Sequence, residues 1–515
     1  MTASASPIAA LTISAIYSTL HGRQPVEAVV KRTLREGTRS GSISNSDERG
    51  AVASAIFGTS LLRARLAHLL ASIRGPIDGN IEQTNKMSLG DSRRLAAARG
   101  LLAIFLLHET PQRVDPQAMS HVLPPHSLGI PTATLDDLAG IDPSRVRWPA
   151  APAMHLASRY SLPVGLARLW LRCSDGDVAD AGALAASFNT PGPVMLRANV
   201  HVLEHESYSQ QALVDAISRE QCGAVADGTL RFRNGVLSPW AVALDGDSRS
   251  SWGGSVWSLQ AWKDGMFEVQ DEGSQCIALA CEVTSGERIL DLCAGNGGKT
   301  LALAALVGAK GRIMAHDVVD SRLAALRASA ARARVPPGVI HTLATAADGH
   351  EGEHELRRTA SRLAPDGFDV VLVDAPCSSS GTLRRHPGLR WSGQWAASSG
   401  SKDAEGGDGY PELQLRLLNQ AASLVRPGGR LVYATCSLDP SENDEVADAF
   451  EDEAAFLADE RTWEAWPFEE GTAGRHEGRK GSLQAGGSHR CTLWPHRHGT
   501  DGFFICRWRR MCENK

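Results

Sequence analysis

Ile289-Leu290-Asp291-Leu292-Cys293-Ala294-Gly295-Asn296-Gly297-Gly298-Lys299-Thr300 decides how this chain folds. A short apolar strand runs into a glycine loop, and a helical pattern starts at Lys299. A unit of this kind aims backbone N–H groups at whatever lies beyond the end of the strand. Working outward from it, strands and helices alternate from Gly286 onward. The spacing predicts strands over 289–292, 312–316, 339–343, 370–373 and 430–434, with helices over 299–306, 321–334 and 413–424. That alternation predicts an α/β fold with a doubly wound, Rossmann-like parallel sheet.

The residues at the strand ends carry the chemistry. Asp317 ends the second strand, 20 residues beyond Gly297. This spacing suits a carboxylate accepting from ribose hydroxyls. Gly298-Lys299-Thr300 also matches the tail of the phosphate-binding pattern G-x-x-x-x-G-K-[ST]. The first glycine of that pattern would stand at 293, where the chain has Cys293. A nucleoside without a triphosphate fits better, and S-adenosylmethionine is the expected cofactor. Its methionine end would lie at the loop and its ribose on Asp317. Asp348, in Ala346-Ala347-Asp348-Gly349, is a candidate acceptor for an adenine amino group, and equally an ordinary Asp-Gly turn.

Two cysteines stand just past apolar strands. Cys377 closes Val370-Val371-Leu372-Val373-Asp374-Ala375-Pro376-Cys377, and Cys436 closes Leu431-Val432-Tyr433-Ala434-Thr435-Cys436. Ligands of open parallel sheets bind beyond these carboxyl ends, and adjacent strands lie roughly 5 Å apart. One strand-end cysteine commonly fills a core. Two beside a donor loop point to catalysis. Carbon 5 of a pyrimidine is a poor nucleophile until a thiolate adds to carbon 6. After methyl transfer a base removes the carbon-5 proton and the thiol is eliminated. A second thiol can assist that elimination. Asp374 stands where a carboxyl group can hydrogen-bond the ring. The attacking thiol needs a lowered pKa. Spacing leaves open which of Cys377 and Cys436 attacks.

At 515 residues the chain has room for two or three domains. Hydrophobic residues at 43% and charged residues at 22% are ordinary for a globular protein. A net charge of −5 does not announce a nucleic-acid binder, yet the charge is uneven. Residues 1–130 hold 14 Lys+Arg against 9 Asp+Glu, while 439–460 hold ten acids and no base. Ten cysteines without a C-x-x-C pair speak against a zinc site or a disulfide scaffold, so no metal is expected. A reducing compartment follows, either the cytoplasm or an organelle. No apolar stretch is long enough to cross a membrane. Met1 to Arg23 lacks acids and reads equally as a transit peptide or a first helix.

Three domains are expected: an all-helical 1–142, a small α+β unit at 143–282, and the α/β part at 283–515. Residues 392–410 and 470–489 read as Gly/Ser/charge-rich insertions.

At Asp291 to Thr300, at Asp374-Ala375-Pro376-Cys377-Ser378-Ser379-Ser380-Gly381, and from Leu431 through Glu442-Asn443, the chain resembles a known family. It is the RsmB (Sun/Fmu) branch of the RNA cytosine-C5 methyltransferases. Val269-Gln270-Asp271-Glu272-Gly273-Ser274-Gln275 and Asp501-Gly502-Phe503-Phe504 support the resemblance. It implies Cys436 as nucleophile and Cys377 as the thiol that assists product release. It implies donor binding by Cys293, Ala294, Gly295, Asn296, Gly297, Gly298, Lys299, Asp317, Asp348 and Asp374. It implies a NusB-like RNA-binding domain at the N-terminus, a small RNA-binding unit after it, and a monomer acting on cytosine in small-subunit ribosomal RNA. Gly295-Asn296 departs from the Ala-Pro common in this loop.

Carbon 6 is hidden inside a helix, so the target must be single-stranded or flipped out. Trp240, Trp252, Trp257 and Trp262 are candidate stacking platforms or core residues. Arg384 and Arg385 are candidates for phosphate contact. Two rivals stand beside this reading. A catalytically silent, antitermination-like RNA-binding protein would explain the helical N-terminus but not two intact thiols. A small-molecule methyltransferase would explain the sheet but not the extra N-terminal domains.

Overall fold

Apolar residues at helical spacing build the first part of the chain. In the computed structural model, residues 6–21, 26–74, 91–108, 122–124, 128, 132–142, 145–203, 209–226, 228, 230–245, 256–345, 350–391, 409–456, 463–468 and 488–512 are described. The helices there are α1 (Pro7–His21), α2 (Val26–Ser40), α3 (Ser46–Leu61), α4 (Arg63–Arg74), α5 (Asp91–His108), α6 (Thr132–Ala139), α7 (Pro152–Tyr160), α8 (Val164–Cys173) and α9 (Val178–Asn189). Ile13, Ile16, Val29, Ile56, Leu102 and Phe105 lie in one core. Trp170 stacks on Phe188 in a second contact between α8 and α9.

The chain divides into two compact units, Met1–Pro191 with Leu383–Ser398, and Gly192–Thr382 with Ser399–Lys515. The contact boundary at 191/192 differs from the sequence boundaries at 142/143 and 282/283. The helices α7 to α9 group with those before them. The short 3-10 turn Pro387–Trp391 also packs in the helical unit. Arg390 is fully buried there and donates to Ser161 O, Phe188 O and Asn189 Oδ1. The Arg63 guanidinium lies 3.8 Å above the Trp391 ring. Most of 392–410 and 470–489 falls outside the described residues.

The second unit holds two sheets. The smaller contains β1 (Val194–Ala198), with α10 (Ser209–Glu220), β2 (Arg231–Asn234), β3 (Ala241–Asp245) and β4 (Phe267–Val269) following. Its order is β2-β3-β1-β4 and every pairing is antiparallel. Trp240 and Phe267 lie in its core, so Trp240 is not a stacking platform. Trp252 lies outside the described residues. Trp257 is 52% exposed and meets Trp262 edge-on.

The larger sheet follows α11 (Glu272–Ala280). Its elements are β5 (Arg288–Asp291), α12 (Gly298–Val307), β6 (Arg312–Asp317), α13 (Asp320–Arg332), β7 (Ile340–Ala344), α14 (His350–Leu363), β8 (Phe368–Asp374), α15 (Tyr410–Ala422), β9 (Val425–Thr435), α16 (Asp444–Phe456), β10 (Trp463–Ala465), β11 (Arg490–Leu493) and β12 (Phe503–Arg510). The order is β10-β12-β9-β8-β5-β6-β7, with β11 also paired to β12. Strands β5 to β9 are parallel neighbours, and β12 lies antiparallel beside β9. The α/β expectation therefore holds, with an antiparallel edge added.

Alternate side chains explain why both faces are covered. Val370 and Leu372 enter one core with Ile289, Ile313 and Val432. Val371 and Val373 enter the other with Leu290, Met314 and Tyr433. Helices pack on both faces accordingly. The chain runs from β5 outward to β7, then returns to β8 on the other side of β5. The topological switch point lies between β5 and β8, where open sheets bind their ligands. Among the described residues no helix is long and apolar enough to cross a membrane.

Candidate active site

The donor loop sits at that switch point. Gly297 caps α12 with φ 86°, a conformation that favours glycine, and an added Cβ there would meet the Leu326 side chain at 2.1 Å. No side chain caps this helix start, so its N-terminal amides face a candidate binding site. Asp317 closes β6 and reaches back to the loop. Its Oδ2 accepts from Gly295 N at 2.9 Å, and its Oδ1 accepts from Val319 N at 2.8 Å. Each carboxylate oxygen keeps acceptor capacity beyond these bonds. Val318 and Val319, next in the chain, expose 49% and 37% of their surface. An acid beside exposed apolar side chains at a helix N-terminus fits a nucleoside carrying an amino-acid end. Asp348 lies outside the described residues.

Cys293 and Ala294 line the start of the loop. Cys293 packs against the sheet core, and burial with the nearby carboxylates raises its thiol pKa well above the ordinary value. It is not poised as a nucleophile. Asn296 and Gly298 are exposed on the loop.

Two further residues brace this loop, and Arg197 carries no sequence signature of its own. Arg197, in β1, is 3% exposed and donates to Gly298 O at 2.8 Å and to the Gln270 side chain. Thr300 Oγ1 donates to Asp291 Oδ2 at 2.6 Å, tying the start of α12 to the end of β5. Gln270 belongs to the motif around 269–275, so a polar residue ending β4 was the available hint.

Lys299 and Asp374 meet across the switch point, with Nζ 2.6 Å from Oδ2. Burial opposes the Lys299 charge, yet Asp374 holds its pKa above the ordinary value.

The two thiols converge beside them. Cys377 Sγ lies 3.4 Å from Cys436 Sγ, and the Ser379 hydroxyl lies 3.4 Å from the latter. The Cys436 pKa is lowered. Hydrogen bonding from Cys377 is the largest cause, burial opposes it, and Ser379 and Lys299 add to the lowering. Cys377 moves the other way, because its proton is engaged on Cys436 and its site is buried. The pair is therefore asymmetric. Cys436 is shifted toward the thiolate and Cys377 away from it.

Close backbone packing fixes the loops that carry them. Gly381 N donates to Cys436 O at 2.9 Å, and Gly502 N donates to Gly381 O at 2.7 Å. A Cβ on Gly381 would meet Gly502 O at 2.2 Å. The motif beginning at Asp501 thus supports the loop that follows Cys377.

The arrangement joins a glycine loop at a helix N-terminus, a Lys–Asp salt bridge and a thiol of lowered pKa. It can hold a nucleoside-like donor and add a sulfur to an electrophilic carbon.

Known proteins resemble this chain in sequence and in fold. The family described as 16S rRNA methyltransferase RsmB/F matches residues 278–509. "Probable ribosomal RNA small subunit methyltransferase B" of Bacillus subtilis is 28% identical over 359 residues, covering 70% of this chain and 68% of that protein. "Ribosomal RNA small subunit methyltransferase B" of Serratia proteamaculans is 32% identical over 265 residues, covering 51% of this chain and 52% of that protein. The chain spans only about half the length of most such relatives. Among solved structures, PH0851 aligns over 97% of this chain and 98% of its own, with TM-score 0.61 and 22% identity. A methyltransferase homolog from Pyrococcus horikoshii aligns over 70% of this chain and 100% of its own, with TM-score 0.50 and 22% identity. These structures share the fold. Residues 278–509, a little under half of this chain's length, thus resemble the RsmB/F family.

Proposed function

We propose that this protein transfers a methyl group from S-adenosylmethionine to carbon 5 of a cytosine in small-subunit ribosomal RNA. The observation that carries this reading is the 3.4 Å approach of two thiols with opposed pKa shifts. It stands beside a Lys–Asp pair at the switch point. The family match and the relatives' names support ribosomal RNA as the substrate.

The loop from Cys293 to Lys299 and the carboxylates of Asp317, Asp348 and Asp374 would hold the donor. S-adenosylmethionine supplies, when bound there, a methyl group made electrophilic by its sulfonium.

Cys436 acts as nucleophile. Its thiolate adds to carbon 6 of the cytosine, and the ring electrons shift toward carbon 5. Lys299 faces the ring's polar edge and stabilises the negative charge that develops there, while Asp374 orients the ring by accepting from its amino group. Once carbon 5 carries the methyl group, its proton leaves to a base. The electron pair then re-forms the ring double bond and expels Cys436. Cys377 returns a proton to the departing sulfur. The target base is unpaired or flipped out of its stack. The helical unit at the N-terminus serves as an RNA-binding part.

The test is incubation with tritiated S-adenosylmethionine and unmodified 16S rRNA. The expected product is labelled 5-methylcytosine, lost in Cys436→Ala. Label at another base, or full labelling by Cys436→Ala, would overturn the reading.

A further inference from the structure

Glu442 is 3% exposed and closes the short turn Pro440–Glu442 after β9. Its Oε2 accepts from Ser378 N at 2.8 Å and from the Gln414 amide at 3.1 Å. Its Oε1 accepts from the Ser437 hydroxyl at 2.9 Å. Ser378 directly follows Cys377, and Ser437 directly follows Cys436. One carboxylate therefore ties both thiol-bearing segments together. Gln414 widens the tie, because its amide also donates to Pro376 O at 2.9 Å on the other side of Cys377. The turn is itself pinned, since the Tyr433 hydroxyl donates to Glu442 O at 2.6 Å.

Every group on the carboxylate is a donor in these contacts. Gln414 and the Ser378 amide cannot reverse roles. An acid buried at some cost is retained where two loops must be held in register. Burial raises its pKa, and the donated bonds from Ser378, Ser437 and Gln414 act against that rise.

We propose that Glu442 is a positioning residue, holding the sulfurs of Cys377 and Cys436 at the separation where the Cys377 thiol hydrogen-bonds the Cys436 thiolate. The proposal rests on the thiol chemistry proposed above. It also names a role for a residue that touches neither base nor donor.

Charge and position make opposite predictions here. Removing a nearby negative charge favours a thiolate and lowers the Cys436 pKa. Losing the hydrogen bond from Cys377 raises it. Glu442→Ala removes both charge and tie. Glu442→Gln removes the charge but keeps the tie, because its oxygen can accept from Ser378 and Gln414 while its amide donates to Ser437.

The experiment follows iodoacetamide alkylation of Cys436 in the full chain, by mass spectrometry of its peptide, from about pH 5 to pH 9. Neither RNA nor donor is present, so the result stands apart from whether cytosine is the substrate. Glu442→Ala is expected to move the profile upward by roughly one pH unit, about a tenfold slower reaction at neutral pH. Glu442→Gln is expected to leave it in place or move it down. In methylation assays, Glu442→Ala should lower kcat by roughly 100-fold with KM for RNA little changed. Ser437→Ala loses a single tie, and is expected to shift the profile upward by a smaller amount. It decides the matter if Glu442→Ala does not fold. A downward shift in Glu442→Ala, or a wild-type profile in Ser437→Ala, would overturn the proposal. Failure of the wild type to methylate RNA, with these alkylation shifts intact, would sink the substrate reading alone.

Discussion

Lys299 Nζ donates to Asp374 Oδ2 across 2.6 Å, joining the first turn of α12 to the end of β8. The pair gives the Cys436 thiol two opposed neighbours. Lys299 lowers its pKa and Asp374 raises it. Lys299→Met leaves the carboxylate unopposed, so the Cys436 thiol should rise by about one pH unit. Asp374→Asn leaves the ammonium unopposed, so the thiol should fall. Both variants should lose methylation, because both remove a group that faces the base. The alkylation profile of Cys436 separates them, and equal shifts of one sign would refute this assignment of charges.

Cys377 should act late. Its proton is held on Cys436 and its own pKa is raised. Cys377→Ala removes the group that returns a proton to the leaving sulfur. The expected outcome is a protein–RNA adduct that survives denaturing electrophoresis, with turnover reduced by roughly 100-fold or more. Double substitution of Cys377 and Cys436 should abolish the adduct. Full turnover by Cys377→Ala would assign it a passive role.

Asp317 links the donor loop to the end of β6 through Gly295 N and Val319 N. Asp317→Ala leaves two amides without their acceptor and removes the partner expected for the ribose diol. Each unsatisfied group costs about 1–3 kcal/mol. Donor affinity measured by calorimetry should fall by roughly 10- to 100-fold. Asp317→Asn should also bind poorly, since its amide nitrogen would face an N–H. Unchanged affinity in both would move the ribose site elsewhere.

The parallel strands were legible because each is a short β-branched run stopping at a turn former. Val370 to Val373 and Leu431 to Ala434 needed nothing beyond local pattern. The antiparallel strand β12 was harder. It ends in Arg507-Trp508-Arg509-Arg510, which reads as surface. Yet Arg507 is fully buried, donating to Trp466 O, Ala280 O and Glu282. Distant carbonyls make that burial tolerable, and a local window does not contain them. The positions of Cys377, Cys436, Asp317 and Asp374 at or just past strand ends were legible for the same reason as the strands. The roles of Glu442, Gln414 and Arg197 were not, because each also needs a partner 28 to 101 residues away. The contact boundary of the helical unit likewise depends on distant partners. Arg390 joins it through acceptors some 200 residues upstream.

Asp291 carries a pH dependence into the fold. It is 1% exposed, with Oδ2 accepting from Thr300 and Oδ1 lacking a partner among the described residues. Burial pushes its pKa from 3.8 up to about 7, against the opposing hydrogen bond from Thr300. The folded protein therefore binds this proton more tightly than the unfolded chain. Stability from this group is present below about pH 4 and is lost as the pH rises toward 7. The full change is at most about 4 kcal/mol, at 1.36 kcal/mol per unit. Asp291→Asn cannot ionise and keeps an acceptor for Thr300. Its melting temperature should gain on the wild type as the pH rises from about 5 to about 8, where the wild-type carboxyl is forced to ionise. Parallel melting curves for the two proteins across that range would mean that Asp291 is already charged in the fold. The Lys299 ammonium would then be shared between two carboxylates rather than committed to Asp374.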